Sequence, residues 1–499
     1  MRRAPLVLAA TCVAAFTATL DNTVVAVALR PMQRDLHSSV AGLQGVVTAY
    51  TVSLAALLLV GGALVDRLGA RRVLLTGLLG FATASAGCAL AGSTEVLVAM
   101  RAVQGSSAAL LLPGALAVLA AAYPDQEQRR RAIGSWAAAG GVALVAGPVV
   151  GGELVAAQGW QAVFWINVPL CLAVVAALAG GPALPPVGGR LDLAGALLTC
   201  GTLGLATYAV VLAGRAGLSP AVAITLALAV VLGVVLVRVE RKPDPLLPAA
   251  LLRDRHFTGG ALAAFAASLA VFVLMVFVAL FLELVQSLDA RQAGRVLLPL
   301  PLALVAVAPL AGRWRAVVRP VVLGLGLAGA SLVTLGLLLR EHTGRPTLEL
   351  LLAAVGVGVG LTTAPVVTAT LSSAGERKAG LAAASVNVAR ELGGVVAVAG
   401  LGALAVSRLT HRLTGVLDGV GVTRAQRPRM LDLLLQADSH GVRKQLLLDV
   451  GVDKTLRLGS GLADTASTSF VGSTRVVLQS AGGVLIGIAV LSGWLLRRS

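Results

Sequence analysis

Residues 6–29 read LVLAATCVAAFTATLDNTVVAVAL, an apolar run interrupted by a single carboxylate, Asp21. A helix of this length crosses a bilayer, because about 20 residues at 1.5 Å per residue span the hydrocarbon core of about 30 Å. A charged side chain near the centre of such a helix costs about 2.5–3.5 kcal/mol on insertion scales. Asp21 is therefore either a functional carboxylate or a polar tie between two helices. The neighbouring polar residues Asn22 and Thr23 suit both roles.

The composition of the whole chain points to the same class of protein. Of the 499 residues, 57% are hydrophobic and 13% are charged, which excludes an ordinary soluble domain. The net charge of +17 does not indicate nucleic-acid binding, because the basic residues form short clusters between apolar runs. The four cysteines lie inside apolar runs without ligand spacing, and no phosphate-binding loop or nucleophile constellation is present. We therefore expect an integral membrane protein that holds no metal or cofactor and is not an enzyme.

A window of about 20 residues finds fourteen candidate spans. They lie near residues 6–29, 43–64, 73–92, 96–122, 132–153, 161–181, 193–213, 219–237, 258–282, 293–312, 317–339, 347–370, 379–406 and 473–496. An even number of spans places both termini on one side of the membrane. If that side is the cytoplasm, Lys and Arg concentrate in the short inner loops, as the positive-inside rule requires. We expect a multi-pass, all-α protein with both termini in the cytoplasm.

Two connections between spans stand out. Residues 182–192 are rich in proline and glycine and read as an inner linker that closes the first six spans into a unit. Residues 407–472 form a long segment outside the membrane, in which Leu431 to Leu435 could form a short amphipathic helix.

The second and third spans are joined by an ordered pattern of glycine, acid and base. Residues 61–72 read GGALVDRLGARR. Its defining positions are Gly62, Asp66, Arg67, Gly69, Arg71 and Arg72. Glycines let two helix ends approach closely, and a carboxylate at one helix end can meet arginines or a helix N-terminus. The pattern predicts a latch between two helical units at the inner gate, with an ordinary turn carrying topology charges as the alternative.

Further patterned stretches follow in the same half of the chain. They are LDNTVVAVAL at residues 20–29, RAVQG at 101–105, GVALVAGPVVGG at 141–152 and GWQAVFWINVP at 159–169. With the pattern at 61–72, they occur in the order of the motifs of the major facilitator superfamily. Residues 61–72 resemble the signature between its second and third helices. Residues 20–29, 141–152 and 159–169 are similar to the first-helix, antiporter and sixth-helix motifs of its 14-helix drug:proton antiporter branch.

The resemblance implies a fold and a function. It implies two six-helix bundles around a central cavity, within residues 1–181 and 257–499, with two further helices and inner loops in residues 182–256. The implied function is proton-coupled export of amphipathic organic compounds such as antibiotics, by alternating access in a bacterial plasma membrane. A monomer is expected, with the lipid bilayer, protons and a small organic substrate as its partners. A proton-coupled uptake symporter for a nutrient stays open, and a membrane-embedded enzyme or receptor is a more distant alternative.

The resemblance also suggests a proton-coupling pair. Residues 101–105 resemble the fourth-helix motif, whose arginine is implicated in proton coupling in that family. Asp21 and Arg101 both lie roughly 10–12 Å below the outer ends of their helices, so they could share a cavity. An arginine favours the charged form of a carboxylate whereas burial disfavours it, so the balance can change when the cavity opens to the other side. A fixed ion pair between the first and fourth helices is the alternative. Gln104, one turn after Arg101, would extend the polar face into the substrate cavity.

In the antiporter motif, Gly147, Pro148, Gly151 and Gly152 are the defining positions. Proline removes a backbone donor and bends a helix, while glycines allow a neighbouring helix to pack against the backbone. We expect a bent and tightly packed fifth helix, which could seal the cavity or be a purely structural kink.

The second half carries fewer signals. Asn387, Arg390 and Glu391 lie deep in the thirteenth span, with Asn387 and Glu391 on one face. We expect Glu391 to be a second carboxylate for a proton or a cationic substrate, and Asn387 and Arg390 to face the cavity. A tie from Arg390 to a carboxylate between the halves is the alternative. Residues 311–315 occupy the place of a second latch but lack an aspartate, and the glycines of residues 356–360 indicate close helix packing.

Overall fold

The computed structural model describes residues 4–179, 192–216, 219–240, 251, 253–288, 290–314, 317–374, 378–405, 407–408, 411 and 452–497. Within these residues the chain is helical, with turns and short connections and no strand. The prediction of an all-α protein is therefore confirmed. The linker proposed at 182–192 lies almost entirely outside the described residues, as does the segment from Leu431 to Leu435.

Within the described residues, nine helices form the first part of the fold. They are α1 (Ala4–Asp35), α2 (Val40–Leu68), α3 (Ala70–Ala89), α4 (Thr94–Ala122), α5 (Gln126–Gln158), the short α6 (Ala162–Trp165), α7 (Asn167–Ala179), α8 (Leu193–Ala216) and α9 (Pro220–Val239). Polar caps begin several of them, because a side-chain oxygen satisfies a backbone N–H that the helix itself leaves free. Ser39, Ser93 and Asp125 accept such bonds at the starts of α2, α4 and α5.

The second part of the fold begins with α10 (Arg255–Val273), which continues through a π-helical turn (Leu274–Val278) into α11 (Ala279–Leu284). The remaining helices are α12 (Ala290–Leu297), α13 (Pro299–Ala311), α14 (Val318–Leu338), α15 (Arg345–Ala374), α16 (Ala379–Val395) with a second π-helical turn (Val396–Gly400), and α17 (Val452–Arg497). The predicted fourteenth span is thus the end of a longer helix. Residues 452–472, expected to lie in the long outer segment, form its first part.

The number of membrane spans agrees with the sequence. Thirteen helical segments of the described residues are long and apolar enough to cross a bilayer. The count reaches fourteen when the two segments of α5, Gln126–Leu144 and Val149–Gln158, are taken as one span bent by 49°. The bend falls where the antiporter motif predicted one. The side chain of Pro148 itself lies outside the described side chains.

Helices of the two parts meet at the end of the molecule that carries residues 61–72, which we call the motif end. There α2 packs on α16, and α5 packs on α13. The contact between α5 and α13 depends on glycine: a Cβ at Gly134 of α5 would lie 2.7 Å from the carbonyl oxygen of Ala308, and one at Gly312 would lie 2.6 Å from that of Arg130. Because real Cβ atoms do not approach backbone so closely, these glycines allow the motif end to close.

Close packing also explains the glycines of residues 356–360. A Cβ at Gly358 would collide with the carbonyl oxygen of Gly324, and one at Gly356 with that of Leu300. The sequence-based prediction that this run marks close helix packing is therefore confirmed. Small residues at such contacts replace the hydrophobic driving force that lipid does not provide.

We predict that Gly324→Leu destabilises the protein by roughly 1–3 kcal/mol, because the new side chain overpacks the contact between α14 and α15. Gly326→Leu, on the same helix, is a matched control: a Cβ there meets no atom within 4 Å. Thermal unfolding of the two purified variants in detergent measures the difference. Equal stability of both variants would contradict this account of the packing.

Candidate functional site

The Asp21 carboxylate is fully buried and accepts three hydrogen bonds from side chains of two other helices. Its Oδ2 lies 2.5 Å from an Arg101 guanidinium nitrogen. Its Oδ1 accepts bonds from Gln104 Nε2 at 2.9 Å and from Asn167 Nδ2 at 2.8 Å. Asp21 and Arg101 are 0% and 1% exposed. Charge-assisted hydrogen bonds of this kind are worth about 1.5–3 kcal/mol each, and they offset the cost of removing both charges from water.

A second layer of hydrogen bonds extends this network to α3 and α6. Ser85 Oγ accepts bonds from Gln104 Nε2 at 3.2 Å and from Asn167 Nδ2 at 3.0 Å, and it donates to the carbonyl of Phe164 at 2.8 Å. Asp21 of α1 is therefore part of a hydrogen-bond network that includes side chains of α3, α4 and α7. The sequence analysis did not assign roles to Ser85 or Asn167. Asn167 carried a detectable signal, because an amide inside an apolar span needs a hydrogen-bond partner.

Aromatic rings complete the surroundings of Arg101. Its guanidinium carbon lies 4.2 Å from the ring centroid of Tyr50 and 5.9 Å from that of Phe164. The same side chain donates to the carbonyl of Val46 at 3.4 Å and to Gln104 Oε1 at 2.8 Å. Cations over aromatic faces are stabilised most strongly where water is excluded.

A cavity of about 190 Å³ lies beside this network. Helices of both parts of the fold line it, with Asn22 and Thr23 on one side and Asn387, Arg390 and Glu391 on the other. These five residues were predicted to face a cavity or to act in it. Gln104, predicted with them, lies in the buried Asp21 network instead. Asp21 and Arg101 are in contact as expected, but neither lines the cavity, so the expectation that they share it is wrong for this conformation.

Arg390 and Glu391 bring charge into the cavity wall. Among the described residues neither makes a hydrogen bond or an ion pair, and the Arg390 guanidinium carbon lies 5.8 Å from the ring centroid of Trp136 on α5. The alternative of a tie from Arg390 to a carboxylate is therefore not seen in the described part of the chain. Asn387 donates to the carbonyl of Ala383 on its own helix at 3.0 Å. Its side-chain oxygen accepts no bond from the described residues.

Three aromatic side chains line the cavity, although aromatic residues are only 3% of the chain. They are Tyr50, Trp136 and Phe272. Trp136 Nε1 has no hydrogen-bond partner among the described residues. These residues could not be identified from the sequence, because an aromatic side chain in an apolar span has the same pattern whether it faces lipid, another helix or a cavity.

The antiporter motif packs against α1 beside Asp21. A Cβ at Gly147 would collide with Thr23 Oγ1, and one at Gly151 would lie 2.6 Å from a methyl carbon of Val24. Thr23 Oγ1 lies 3.5 Å from the carbonyl of Ala143, one turn earlier on α5. Gly152 faces open space, with no atom within 4 Å of a Cβ there. Two of the motif's glycines therefore let α5 approach the turn of α1 that carries Asn22.

The latch predicted at residues 61–72 has a helix N-terminus as its partner. Asp66 accepts hydrogen bonds from the backbone N–H groups of Gly380 at 2.6 Å and Leu381 at 3.0 Å, in the first turn of α16. A carboxylate is stabilised there by the free N–H groups and the helix dipole. A Cβ at Gly62 would lie 2.6 Å from the Gly380 carbonyl oxygen, so this glycine allows the approach.

The remaining positions of that pattern have local roles. Gly69 joins α2 to α3 with φ of 92°, a conformation that glycine adopts without strain. Arg71 donates to the carbonyls of Leu178 and Ala179 at the end of α7. Arg67 is partly buried at the end of α2, and Arg72 is exposed. The second-half counterpart, Gly312, contacts α5 through backbone and without a carboxylate.

Comparison with known proteins agrees with this architecture. The family model described as "Major Facilitator Superfamily" matches residues 11–398. The methylenomycin A resistance protein of Bacillus subtilis is 34% identical over 77% of this chain and 83% of its own length. The multidrug efflux pump LfrA of Mycolicibacterium smegmatis is 34% identical over 81% of each chain. The multidrug resistance protein Stp of Mycobacterium tuberculosis is 29% identical over 98% of this chain and 91% of its own.

Solved structures share the fold at low sequence identity. The human organic anion transporter MFSD10 superposes with a TM-score of 0.58 at 16% identity and covers 99% of both chains. The proton:xylose symporter XylE superposes with a TM-score of 0.57 at 14% identity, over 79% of this chain and 87% of its own. With the family model matching most of the chain, the protein belongs to the Major Facilitator Superfamily.

Proposed function

We propose that the protein is a proton-coupled exporter of amphipathic organic compounds, including antibiotics, that works by alternating-access antiport. The observation that carries the proposal is the buried Asp21–Arg101 pair beside a cavity lined by both parts of the fold. The similar bacterial proteins are named for drug resistance or drug efflux, which supports export of drugs over uptake of nutrients. We place the protein in a bacterial plasma membrane as a monomer with both termini in the cytoplasm, so the motif end is the cytoplasmic end.

The proposed cycle uses two six-helix bundles, residues 1–181 and 257–499, that rock about the cavity, with residues 182–256 supplying two inserted helices. With the motif end closed, Asp21 takes up a proton from outside. The neutral acid no longer balances Arg101, which favours release of substrate and reorganisation of the network. Loss of the proton to the cytoplasm restores the ion pair and the state that binds substrate.

The cavity suits an amphipathic molecule. Tyr50, Trp136 and Phe272 offer aromatic faces, and the Trp136 N–H can donate a hydrogen bond. Glu391 provides a carboxylate for a cationic group or a second proton, while Asn22 and Asn387 provide neutral polar contacts. Few precisely placed polar groups in a mostly apolar wall are typical of small-molecule sites.

We predict that Asp21→Asn abolishes proton-driven efflux, because the amide cannot release and rebind a proton, while the protein still inserts. Asp35→Asn is the matched control on the same helix: Asp35 accepts a bond from Trp160 Nε1 at 2.9 Å and has no part in the Asp21 network. Efflux from cells expressing each variant at equal membrane levels measures the effect. Normal efflux by the Asp21 variant would rule out this proton site.

The direction of coupling is testable in inverted membrane vesicles with an acidified lumen. The lumen of such vesicles corresponds to the cell exterior, so an exporter exchanges luminal protons for drug and fills the vesicle. We predict accumulation of a drug to which the protein confers resistance, and its loss when an ionophore collapses the gradient. A symporter for uptake would empty preloaded vesicles under the same gradient.

We predict that Asp66→Asn shifts the protein toward the state open at the motif end. Hydrogen bonds to a charged group are worth about 1.5–3 kcal/mol, so losing the charge changes the ratio of states by about tenfold or more. Spin labels at the exposed Thr76 and Ser372, in a background without native cysteines, report the distance between α3 and α15 at this end. A longer distance is expected.

The control for the latch is Asp125→Asn. Asp125 caps its own helix by accepting from Gln128 N at 2.9 Å, so its loss affects a helix end without touching α16. Its distance distribution should match that of the unmodified protein. If the Asp66 and Asp125 variants gave the same distribution, the latch between α2 and α16 would have no role in closing this end.

A further inference from the structure

The substrate cavity and the Asp21 network meet at one aromatic side chain. Tyr50 lines the cavity, and the guanidinium carbon of Arg101 lies 4.2 Å from the centroid of its ring. Tyr50 itself is 1% exposed. Among the described residues, no other side chain of the cavity wall makes a hydrogen bond, ion pair or ring contact with Asp21 or Arg101.

The residues of α1 that line the cavity do not contact the Asp21–Arg101 pair, because they lie on another face of the helix. Successive residues of a helix point about 100° apart, so Asn22 faces the cavity while Asp21 faces α4 and α7. Asn22 therefore lines the cavity, whereas Asp21 lies in the buried hydrogen-bond network. On α2, Tyr50 lies across the boundary and Leu54, one turn further, lines only the cavity.

The Tyr50 ring is also a main contact of the Arg101 guanidinium on the side that faces the cavity. Arg101 uses one nitrogen for both Asp21 and Gln104, and its Nε contacts the Val46 carbonyl at a long 3.4 Å. A cation–π contact inside a water-free site is at the strong end of its range. Removing the ring would open Arg101 and Asp21 to whatever fills the cavity.

We propose that Tyr50 is a positioning residue of the transport cycle: its ring separates the Asp21–Arg101 pair from the cavity and links occupancy of the cavity to that pair. A substrate in the cavity contacts the face of the wall that Tyr50 forms, and so holds the ring over Arg101. As the substrate moves off this wall, brief displacements of the ring admit water and a proton to Asp21, and the proton favours completion of release by removing the counterion of Arg101. This role rests on the proposed function, in which Asp21 carries the proton.

The test measures access to Asp21 directly. Dicyclohexylcarbodiimide, an apolar reagent that modifies protonated carboxyl groups, is added to the purified protein, and mass spectrometry quantifies its attachment to the Asp21 peptide. We expect slow labelling of the unmodified protein without drug, because the ring exposes Asp21 only during brief displacements, and still slower labelling when a transported drug fills the cavity. We expect labelling about thirtyfold faster in Tyr50→Ala, the ratio that corresponds to losing a contact as strong as a desolvated cation–π pair.

Two further variants separate the ring from the space it fills. Tyr50→Phe keeps a ring over Arg101 and should restore slow labelling. Leu54→Ala removes apolar volume from the same cavity wall without touching Arg101, and should leave Asp21 labelling slow while weakening drug transport. Tyr50→Leu, which retains bulk but has no ring, replaces Tyr50→Ala if the latter does not give a monodisperse membrane protein.

A second readout is the proton leak of proteoliposomes that contain a pH-sensitive dye and no drug. Tyr50→Ala should dissipate an imposed pH gradient faster than Leu54→Ala. The proposed role of the ring would be overturned if Tyr50→Ala labelled as slowly as Leu54→Ala and leaked protons no faster. If the unmodified protein did not couple protons to drug transport, the proposed function would be overturned instead. The labelling experiment would still report whether the ring shields Asp21, because it measures access to Asp21 and not transport.

Discussion

The structure depends on how a single carboxylate is paired inside an apolar helix bundle. A buried charge without a partner costs several kcal/mol, so Asp21 can persist only where donors meet both of its oxygens. Arg101 satisfies one oxygen, and Gln104 and Asn167 satisfy the other. These donors lie on α4 and α7, so the pairing fixes the relative rotation and depth of the helices that carry them. A change in the protonation of Asp21 removes the counterion of Arg101 and thereby affects this whole set of contacts.

The two acids of the first half act through different kinds of contact. Asp21 is bonded within the first part of the fold, whereas Asp66 is bonded to the first turn of α16 in the second. Around Asp66, closure depends on backbone approach at Gly62 and, on the other side, at Gly134 and Gly312. Backbone packing acts only over short distances, so such an interface separates as a unit once the halves move apart. In the proposed cycle, the Asp21 network remains intact during that motion until Asp21 exchanges its proton.

The sequence predicted the elements of the site better than their arrangement. The cost of charge in an apolar span singled out Asp21 and Glu391, and the resemblance to the fourth-helix motif singled out Arg101. Helix length placed Asp21 and Arg101 at one depth. That the pair is hidden from the cavity could not be predicted, because the rotation of α1 about its axis depends on packing with α4 and α7. A helix N-terminus was one of the partners expected for Asp66, but which helix supplies it was equally out of reach, since the donors are backbone N–H groups and any residue type supplies one. The residue types of Tyr50 and Trp136 do not indicate that their side chains line the cavity.

The cavity wall also shows why charge is distributed unequally between its two sides. The first part of the fold presents neutral amide and hydroxyl groups at Asn22 and Thr23, and its own ion pair lies behind Tyr50. The second part presents Arg390 and Glu391, which form no ion pair with each other at 4 Å or less. A substrate therefore meets the charges of one side directly and those of the other only through an aromatic ring. In the proposed cycle, this separation lets the Asp21 site respond to the contents of the cavity while its ion pair is shielded from them, a condition that a carboxylate lining the cavity could not meet.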